Sequence, residues 1–480
     1  MNTVGNTRRD FLKVAGLGAV STVLPRRLPA EVAGRDKPNV ILCMTDDQGW
    51  GDTGYNGHKV LKTPNLDAMS SEGIRFDRWY AGAPVCSPTR GSCMTGRHPY
   101  RYGIFGANVG HMRKQEITLA EALKTQGYTT GHFGKWHLGT LTQTVKESNR
   151  GGPRGVEHYG PPWEHGFDVC FSTEAKVPTY DPMVTPRGWR RTKGAKAGKP
   201  FGTHYWTGPG QRVTDNLKGD DSRVIMDRVI PFIEDAVAHN KRPFLAVVWF
   251  HAPHLPVVAG PTHRAIYQDQ PAAAQHYYGC ITAMDEQVGR LRAKLRELGV
   301  ERNTMLWFSS DNGPEGRRYN GNNGSAGPFR GRKRSLFEGG VRVPGLLIWP
   351  AKIAAPRVVK MPCCTSDYFP TVLDVLGHRM KGLPEPVDGI SLLGVIEGKM
   401  TSRPVPIAFE SRGQVSLTDN RYKLISQDGG KAYMLFDLLG DSGETKDLAA
   451  AKPQIVDRMR SILQRWRRSC KASLAGKDYK

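Results

Sequence analysis

The stretch with the most concentrated chemistry runs Pro84-Val85-Cys86-Ser87-Pro88-Thr89-Arg90-Gly91-Ser92-Cys93-Met94-Thr95-Gly96-Arg97. It contains no acid. Cys86 is followed two residues on by Pro88 and four on by Arg90. Alone, this fits a loop with a buried cysteine, because free Cys behaves as a small core hydrophobe. Other clusters change the reading. Asp46-Asp47 follows Val40–Met44, His251-Ala252-Pro253-His254 follows Phe244–Phe250, and Asp311-Asn312-Gly313 follows Thr304–Ser310. Each cluster stands where a continuous apolar run stops. Adjacent buried carboxylates are costly unless a cation or hydrogen-bond donors compensate them. Acid and amide oxygens together suit a hard cation. Lys135 and His137, in Gly134-Lys135-Trp136-His137-Leu138-Gly139, are expected to point the same way along an extended chain. A cation and a titratable ring on one face suit an anionic substrate. Together these residues would supply a divalent cation on oxygen ligands, a nucleophile near Cys86, two histidines for proton transfer and several cations for an anion.

The elements that must position them follow from pattern. Val40–Met44, Phe244–Phe250 and Thr304–Ser310 read as fully buried parallel strands. In a parallel sheet their C-terminal ends share one edge, where open α/β sheets bind ligands. Tyr128–Phe133 and Leu346–Trp349 read as further strands. Thr89–Met94 reads as a helix start, which puts Cys86 at a positive helix end. Thr63 is expected to cap a helix with Pro64 at its first position. Thr118-Leu119-Ala120-Glu121 is a capping box. Ser222–His239 and Gln275–Leu298 are amphipathic helices. Residues 140–221 read as loop-rich, with Arg187, Arg190, Arg191, Lys193, Lys196 and Lys199 gathered in one basic stretch. Past Asp388 shorter alternating runs indicate a small antiparallel sheet with a final helix. The expected fold is α/β: a large domain with a central mostly parallel sheet flanked by helices, over 37–398, and a small C-terminal subdomain over 399–480.

The chain has 480 residues and a net charge of +23. Residues 1–35 hold six basic and two acidic residues, so +4 belongs to that segment and +19 to the remainder. Such a surplus favours a polyanionic partner, whether nucleic acid, membrane surface or sulfated polymer. Thr7-Arg8-Arg9-Asp10-Phe11-Leu12-Lys13 before a short apolar run resembles a twin-arginine export signal over 1–36. No other segment is long and apolar enough to span a membrane. The 8 cysteines show neither metal-site spacing nor a dense disulfide framework.

The Cys-Ser-Pro-Thr-Arg stretch resembles the signature of the formylglycine-dependent sulfatases of the alkaline-phosphatase-like superfamily. The resemblance extends from Pro38 to about Asp447. It includes Asp46-Asp47-Gln48-Gly49, Cys86 to Arg97, Gly134 to Gly139, His251-x-Pro-His254, Asp311-Asn312-Gly313 and Glu338-Gly339-Gly340. It implies that a maturation enzyme oxidises Cys86 to formylglycine. It implies one calcium ion held by Asp46, Asp47, Asp311, Asn312 and residue 86. Lys135 and Lys333 would balance charge on the sulfate, and Arg90 would anchor the formylglycine turn. His251 would protonate the leaving alcohol, and His137 would take the remaining diol proton as sulfate departs. The implied partners are a sulfated carbohydrate substrate, the maturation enzyme and the twin-arginine machinery, without nucleic acid or stable membrane insertion. The implied location is periplasmic or secreted. Three departures are present: Thr89 for the usual Ser, Cys93 where Leu is common, and Arg332 and Arg334 flanking Lys333 in place of small residues. A phosphate or phosphonate monoester hydrolase on the same fold is the rival enzyme. Cys86 and the oxygen-rich metal set argue against it. A catalytically dead polyanion binder is expected to have lost Cys86, Asp311, His137 or His251, and all are present.

Overall fold

The computed structural model describes Met1 and residues 37–147, 156–189, 196–316 and 323–479. The export signal read over 1–36 falls outside the described residues, as do Arg190, Arg191 and Lys193 of the basic stretch.

The apolar runs assemble into a ten-stranded sheet. Five neighbouring strands at its centre are parallel: β1 (Asn39–Thr45), β2 (Thr129–Lys135), β3 (Val169–Thr173), β4 (Phe244–Trp249) and β5 (Thr304–Ser310). Their spatial order is β5-β1-β4-β2-β3. Thr45 pairs with Ser310, and Met44 and Gly134 both pair with Trp249, so four strands stop at nearly one level. Antiparallel strands flank this centre, Gly345–Ile348 beside β5 and Trp206–Gly208 beside β3.

Both faces of the sheet are covered, which is why its central strands are apolar without alternation. Ile41, Cys43, Ala246, Val248, Leu306 and Phe308 face one layer, with Val224, Ile225, Val229, Ile281, Met284 and Val288 packed on them. These last belong to helices whose bounds are Asp221–Ala238 and Ala272–Glu297. The alternate residues, Val40, Leu42, Met44, Leu245, Val247, Trp249 and Trp307, face the other layer. There they meet Cys93, Met94, Phe369 and Val372. Each aliphatic side chain so buried contributes roughly 1.5–3 kcal/mol.

Cys93 and Met94 lie on α1 (Cys86–Thr95), every residue of which is buried. This helix begins at Cys86 itself, three residues before the expected start. Gly96, at φ +68°, closes it through an N–H to the Ser92 carbonyl. The capping box at Thr118 forms as expected. Thr63 stands at the N-cap of the helix Pro64–Glu72 with Pro64 at its first position, as expected, but its side chain makes no capping bond: its hydroxyl accepts from Gly54 N–H at 2.8 Å and donates to Asp67 at 3.1 Å. β3 was expected to be loop. The C-terminal segment forms a four-stranded antiparallel sheet. Met459 and Leu463, from the helix Pro453–Leu474, pack on its Val415, Leu417, Leu424 and Leu435. All eight cysteines are buried and free. Among the described residues, no helix is long and apolar enough to cross a membrane.

Candidate active site

Asp46 and Asp47 directly follow β1, Asp311 and Asn312 follow β5, Lys135 ends β2, and His251 stands two residues past β4. The parallel order therefore gathers the expected groups at one sheet edge. α1 enters beneath them with Cys86 at its first position.

Asp46 accepts from Cys86 Sγ at 3.4 Å and from Lys135 Nζ at 2.5 Å. Lys135 reaches across the end of β4 to do so. Lys333 Nζ lies 2.5 and 2.8 Å from the two Asp47 oxygens. Arg90, one helical turn after Cys86, donates to Asp311 Oδ2 through Nε at 3.2 Å and NH2 at 2.8 Å. Its NH1 donates to the Lys135 carbonyl at 2.9 Å, and its guanidinium lies 5.0 Å from the Trp249 ring centroid. Asp47 N–H donates to Asp311 Oδ1 at 3.1 Å, and Asn312 Nδ2 to Asp47 Oδ1 at 2.7 Å. All of these side chains are buried.

Burial alone would raise the Asp46 carboxyl, but Lys135, His254, Arg90 and Lys333 hold it well below the ordinary range. Burial raises Asp47 despite Lys333. Burial and the Asp46 charge raise Asp311. Burial, then Asp311 and Asp46, pushes the Cys86 thiol up, so the unmodified residue is not a thiolate at neutral pH. Glu315 sits at the edge of the cluster. Arg334 and Lys333 overcome its burial and bring it down to about 2.

Asp46, Asp47, Cys86 and His254 each offer a ligand atom, and these atoms all lie within 4.8 Å of one another. Among the described residues, Asn312 Oδ1 is buried without a hydrogen-bond partner. An orphaned amide oxygen beside a carboxylate pair fits a hard cation, which takes oxygen ligands.

The two histidines after β4 are treated differently. His251 is fully buried. Its Nδ1 donates to Asp221 Oδ2 at 2.8 Å, and its Nε2 lies 2.8 Å from Thr173 Oγ1 and 3.2 Å from the Ala175 carbonyl. Tyr205 donates to the other Asp221 oxygen at 2.6 Å. His254 instead donates through Nδ1 to the Leu255 carbonyl at 2.6 Å and turns Nε2 toward Asp47 Oδ2 at 3.7 Å. His137 is not extended as expected. Its φ is +57°, and Nε2 lies 2.8 Å from Asn108 Oδ1. Thr173, Asp221 and Asn108 were not singled out from sequence. The double acid Asp220-Asp221 was the one available signal: Asp220 caps its helix, accepting from Arg223 N–H, while Asp221 turns inward.

Comparison with known proteins gives these features a family. The model of the Sulfatase family matches residues 38–378. N-acetylgalactosamine-6-sulfatase of Canis lupus familiaris is 32% identical over 441 residues, covering 86% of this chain and 74% of its own. Arylsulfatase G of Rattus norvegicus is 29% identical, covering 92% and 89%. The crystal structure of Ps i-CgsB in complex with k-i-k-neocarrahexaose superposes with a TM-score of 0.74 at 26% identity, over 90% of this chain and 92% of that one. With the family match spanning most of the residues that build the sheet edge, the chain belongs to the sulfatase family and is a sulfuric ester hydrolase.

Proposed function

We propose that this enzyme releases inorganic sulfate from a sulfated polysaccharide or oligosaccharide, using a formylglycine formed from Cys86 and one calcium ion. The observation that carries this reading is the convergence of Asp46, Asp47, Cys86 and His254 within 4.8 Å, with lysines on both carboxylates. Asp46, Asp47, Asp311 and Asn312 would hold the cation, with residue 86 as a further ligand. Bound there, it would offset negative charge on the nucleophile and the sulfate. Formylglycine at 86 would supply a hydrated aldehyde, one hydroxyl attacking sulfur and the other later expelling sulfate.

The remaining residues have separable tasks. Lys135 and Lys333 bind the sulfate oxygens and stabilise charge that grows on them. Arg90 locks the first turn of α1 to Asp311 and to the end of β2. His137 takes the last proton of the hydrate. The family resemblance implies proton donation by His251, but the geometry favours His254. Both His251 nitrogens face Asp221, Thr173 and Ala175, whereas His254 Nε2 faces the carboxylate pair. His254 therefore protonates the leaving alcohol, and His251 braces the loop that carries it.

The substrate class rests on three supports: the +19 charge beyond residue 35, a relative named for an N-acetylgalactosamine-6-sulfate, and a similar structure holding a neocarrahexaose. Export by the twin-arginine route carries folded protein, so oxidation of Cys86 precedes it in the cytoplasm. Sulfate release from defined sulfated oligosaccharides is the test. Turnover of small aryl sulfates alone would overturn the carbohydrate reading. Intact-mass analysis of the peptide around residue 86 is expected to show an aldehyde in place of the thiol, and Cys86→Ala to lower turnover by at least about a thousandfold. An unmodified thiol in active enzyme would exclude the formylglycine route.

A further inference from the structure

The basic residues between β3 and the helix Asp221–Ala238 have no part in the chemistry at residue 86. Some of them surround a cleft of about 590 Å³. Its floor is apolar: Met183, Val213 and Leu217 pack on the layer that contains Tyr205. His204 stands in its wall, with Nδ1 2.5 Å from Glu147 Oε1. Arg212 lines it from the edge strand Gln211–Arg212, and Lys218 from the segment before the helix.

The cleft lies at the same sheet edge as the catalytic groups. Asp221, the first residue of that helix, accepts from His251 at 2.8 Å. Arg223, which also lines the cleft, follows Asp221 in the first helical turn. Sheet register gives the lateral distance. Trp249, Gly134, Ser172, Trp206 and Arg212 pair in one row, across β4, β2, β3 and the two antiparallel strands beyond. Arg212 therefore stands three strand spacings from Gly134, the neighbour of Lys135, which is about 14 Å. The charges in the cleft do not cancel. Its acid, Asp181, accepts from Gly219 N–H at 2.7 Å, and Arg223 is held by Asp227 and Asn216. Among the described residues, the exposed side chains of Arg212 and Lys218 make no hydrogen bond or ion pair. Val184, at the rim, bridges to Pro200, and Thr185 N–H donates to the Lys199 carbonyl at 2.8 Å. The segment that bears exposed Arg187 and Lys199 thus adjoins the cleft.

We propose that this cleft is a second carbohydrate subsite, in which Arg212 and Lys218 bind a sulfate or carboxylate carried by the substrate chain at a sugar remote from the scissile ester. The apolar floor receives the C–H face of that sugar while the two cations take its anion. This rests on the carbohydrate reading above and narrows it: the preferred substrate is an anionic chain long enough to reach from Lys135 to Arg212.

The test uses size-graded fragments of a carrageenan and of a chondroitin sulfate, from the disaccharide upward, with 4-nitrophenyl sulfate alongside. In the wild type kcat/KM is expected to rise by about tenfold once a fragment spans both sites, mostly through KM, the range of one charge-assisted hydrogen bond. Added salt lowers that gain, because exposed charges are screened. Arg212→Met combined with Lys218→Met abolishes the gain and leaves turnover of the disaccharide and of 4-nitrophenyl sulfate as it was. Arg212→Lys combined with Lys218→Arg keeps it. A gain on the carrageenan series supports recognition of sulfate, and a gain on the chondroitin series alone supports recognition of the uronate carboxylate. No gain with length in the wild type, or a gain that survives the double Met variant, overturns the subsite. So does an equal loss on every substrate, which would make the two cations part of the fold rather than of recognition. Turnover of 4-nitrophenyl sulfate with no oligosaccharide cleaved would instead overturn the carbohydrate reading itself.

Discussion

His251 and His254 stand three positions apart after one strand and face opposite ways. A proton donor must reach the leaving oxygen, and general acid catalysis contributes about 10²–10⁴-fold. His254→Asn is expected to lose that factor on sugar sulfates and far less on 4-nitrophenyl sulfate, whose leaving group departs without a proton. His251→Asn is expected to slow both substrates equally, by loosening the loop. Leaving-group dependence in His251→Asn instead would reverse the assignment. Asp46, Asp47 and Asp311 were legible in the sequence because each stands where a continuous apolar run stops, and burial at such a place needs a charge partner; Lys135 was legible only through its spacing to His137. The choice between the histidines was not. It is made by Asp221 and Thr173, one 30 residues and the other 78 residues from His251, and no local pattern reports contacts of that range.

At the scale of elements, the end of β2 is backed by stacked rings. Trp136 lies 6.2 Å from Trp249 and 6.0 Å from His165, nearly parallel to both. Both His165 ring nitrogens are buried without a hydrogen-bond partner among the described residues. Burial, reinforced by His111 and Lys114, brings this imidazole down to about 4. The folded protein resists protonation there while the unfolded chain accepts it below its ordinary value of 6.5. Stability from this group is therefore full above 6.5 and is lost as pH falls toward 4, at most about 1.4 kcal/mol for each pH unit. His165→Phe is expected to flatten the denaturation profile across that window, and an unaltered slope would contradict it. β3 shows what pattern reading misses at this scale. Val169-Cys170-Phe171-Ser172-Thr173 is short and lies among glycine- and proline-rich loops. Only its pairing with β2 and with Trp206–Gly208 makes it a strand, so Thr173 went unseen with it. α1, by contrast, was legible in kind, and only its first turn was placed late.

Across the whole molecule, the small C-terminal sheet is tied to the catalytic centre through buried charge. Lys423 shares the inward face of its strand with Ile425, a reading that alternation permits but that a lysine argues against. Its Nζ lies 3.0 Å from Glu338 Oε1 and 3.1 Å from Glu444 Oε1. Glu338 also accepts from Tyr80 at 2.9 Å. Glu338 opens the Glu-Gly-Gly segment, and the Gly340 carbonyl accepts from Gly313 N–H at 3.0 Å, next to Asn312. A Cβ on Gly313 would stand 2.0 Å from the Gly339 carbonyl oxygen, so the two segments touch backbone to backbone. Burial and the Glu338 charge already raise Glu444 to about 7. Lys423→Met would leave both carboxylates buried without their shared cation, which costs about 3–5 kcal/mol when one partner of such a pair is removed. Chemical denaturation is expected to show that loss, and sulfate release per folded molecule to fall as the Gly313 contact loosens. Glu338→Gln added to Lys423→Met removes one of the two stranded charges, and loss of Lys423 itself raises Glu444 further, because that lysine is what holds it down. The double variant is therefore expected to be more stable than Lys423→Met alone. A single variant within about 1 kcal/mol of wild type, the range of an exposed pair, would show that the sheet is held by its apolar contacts and that the charge cluster adds nothing.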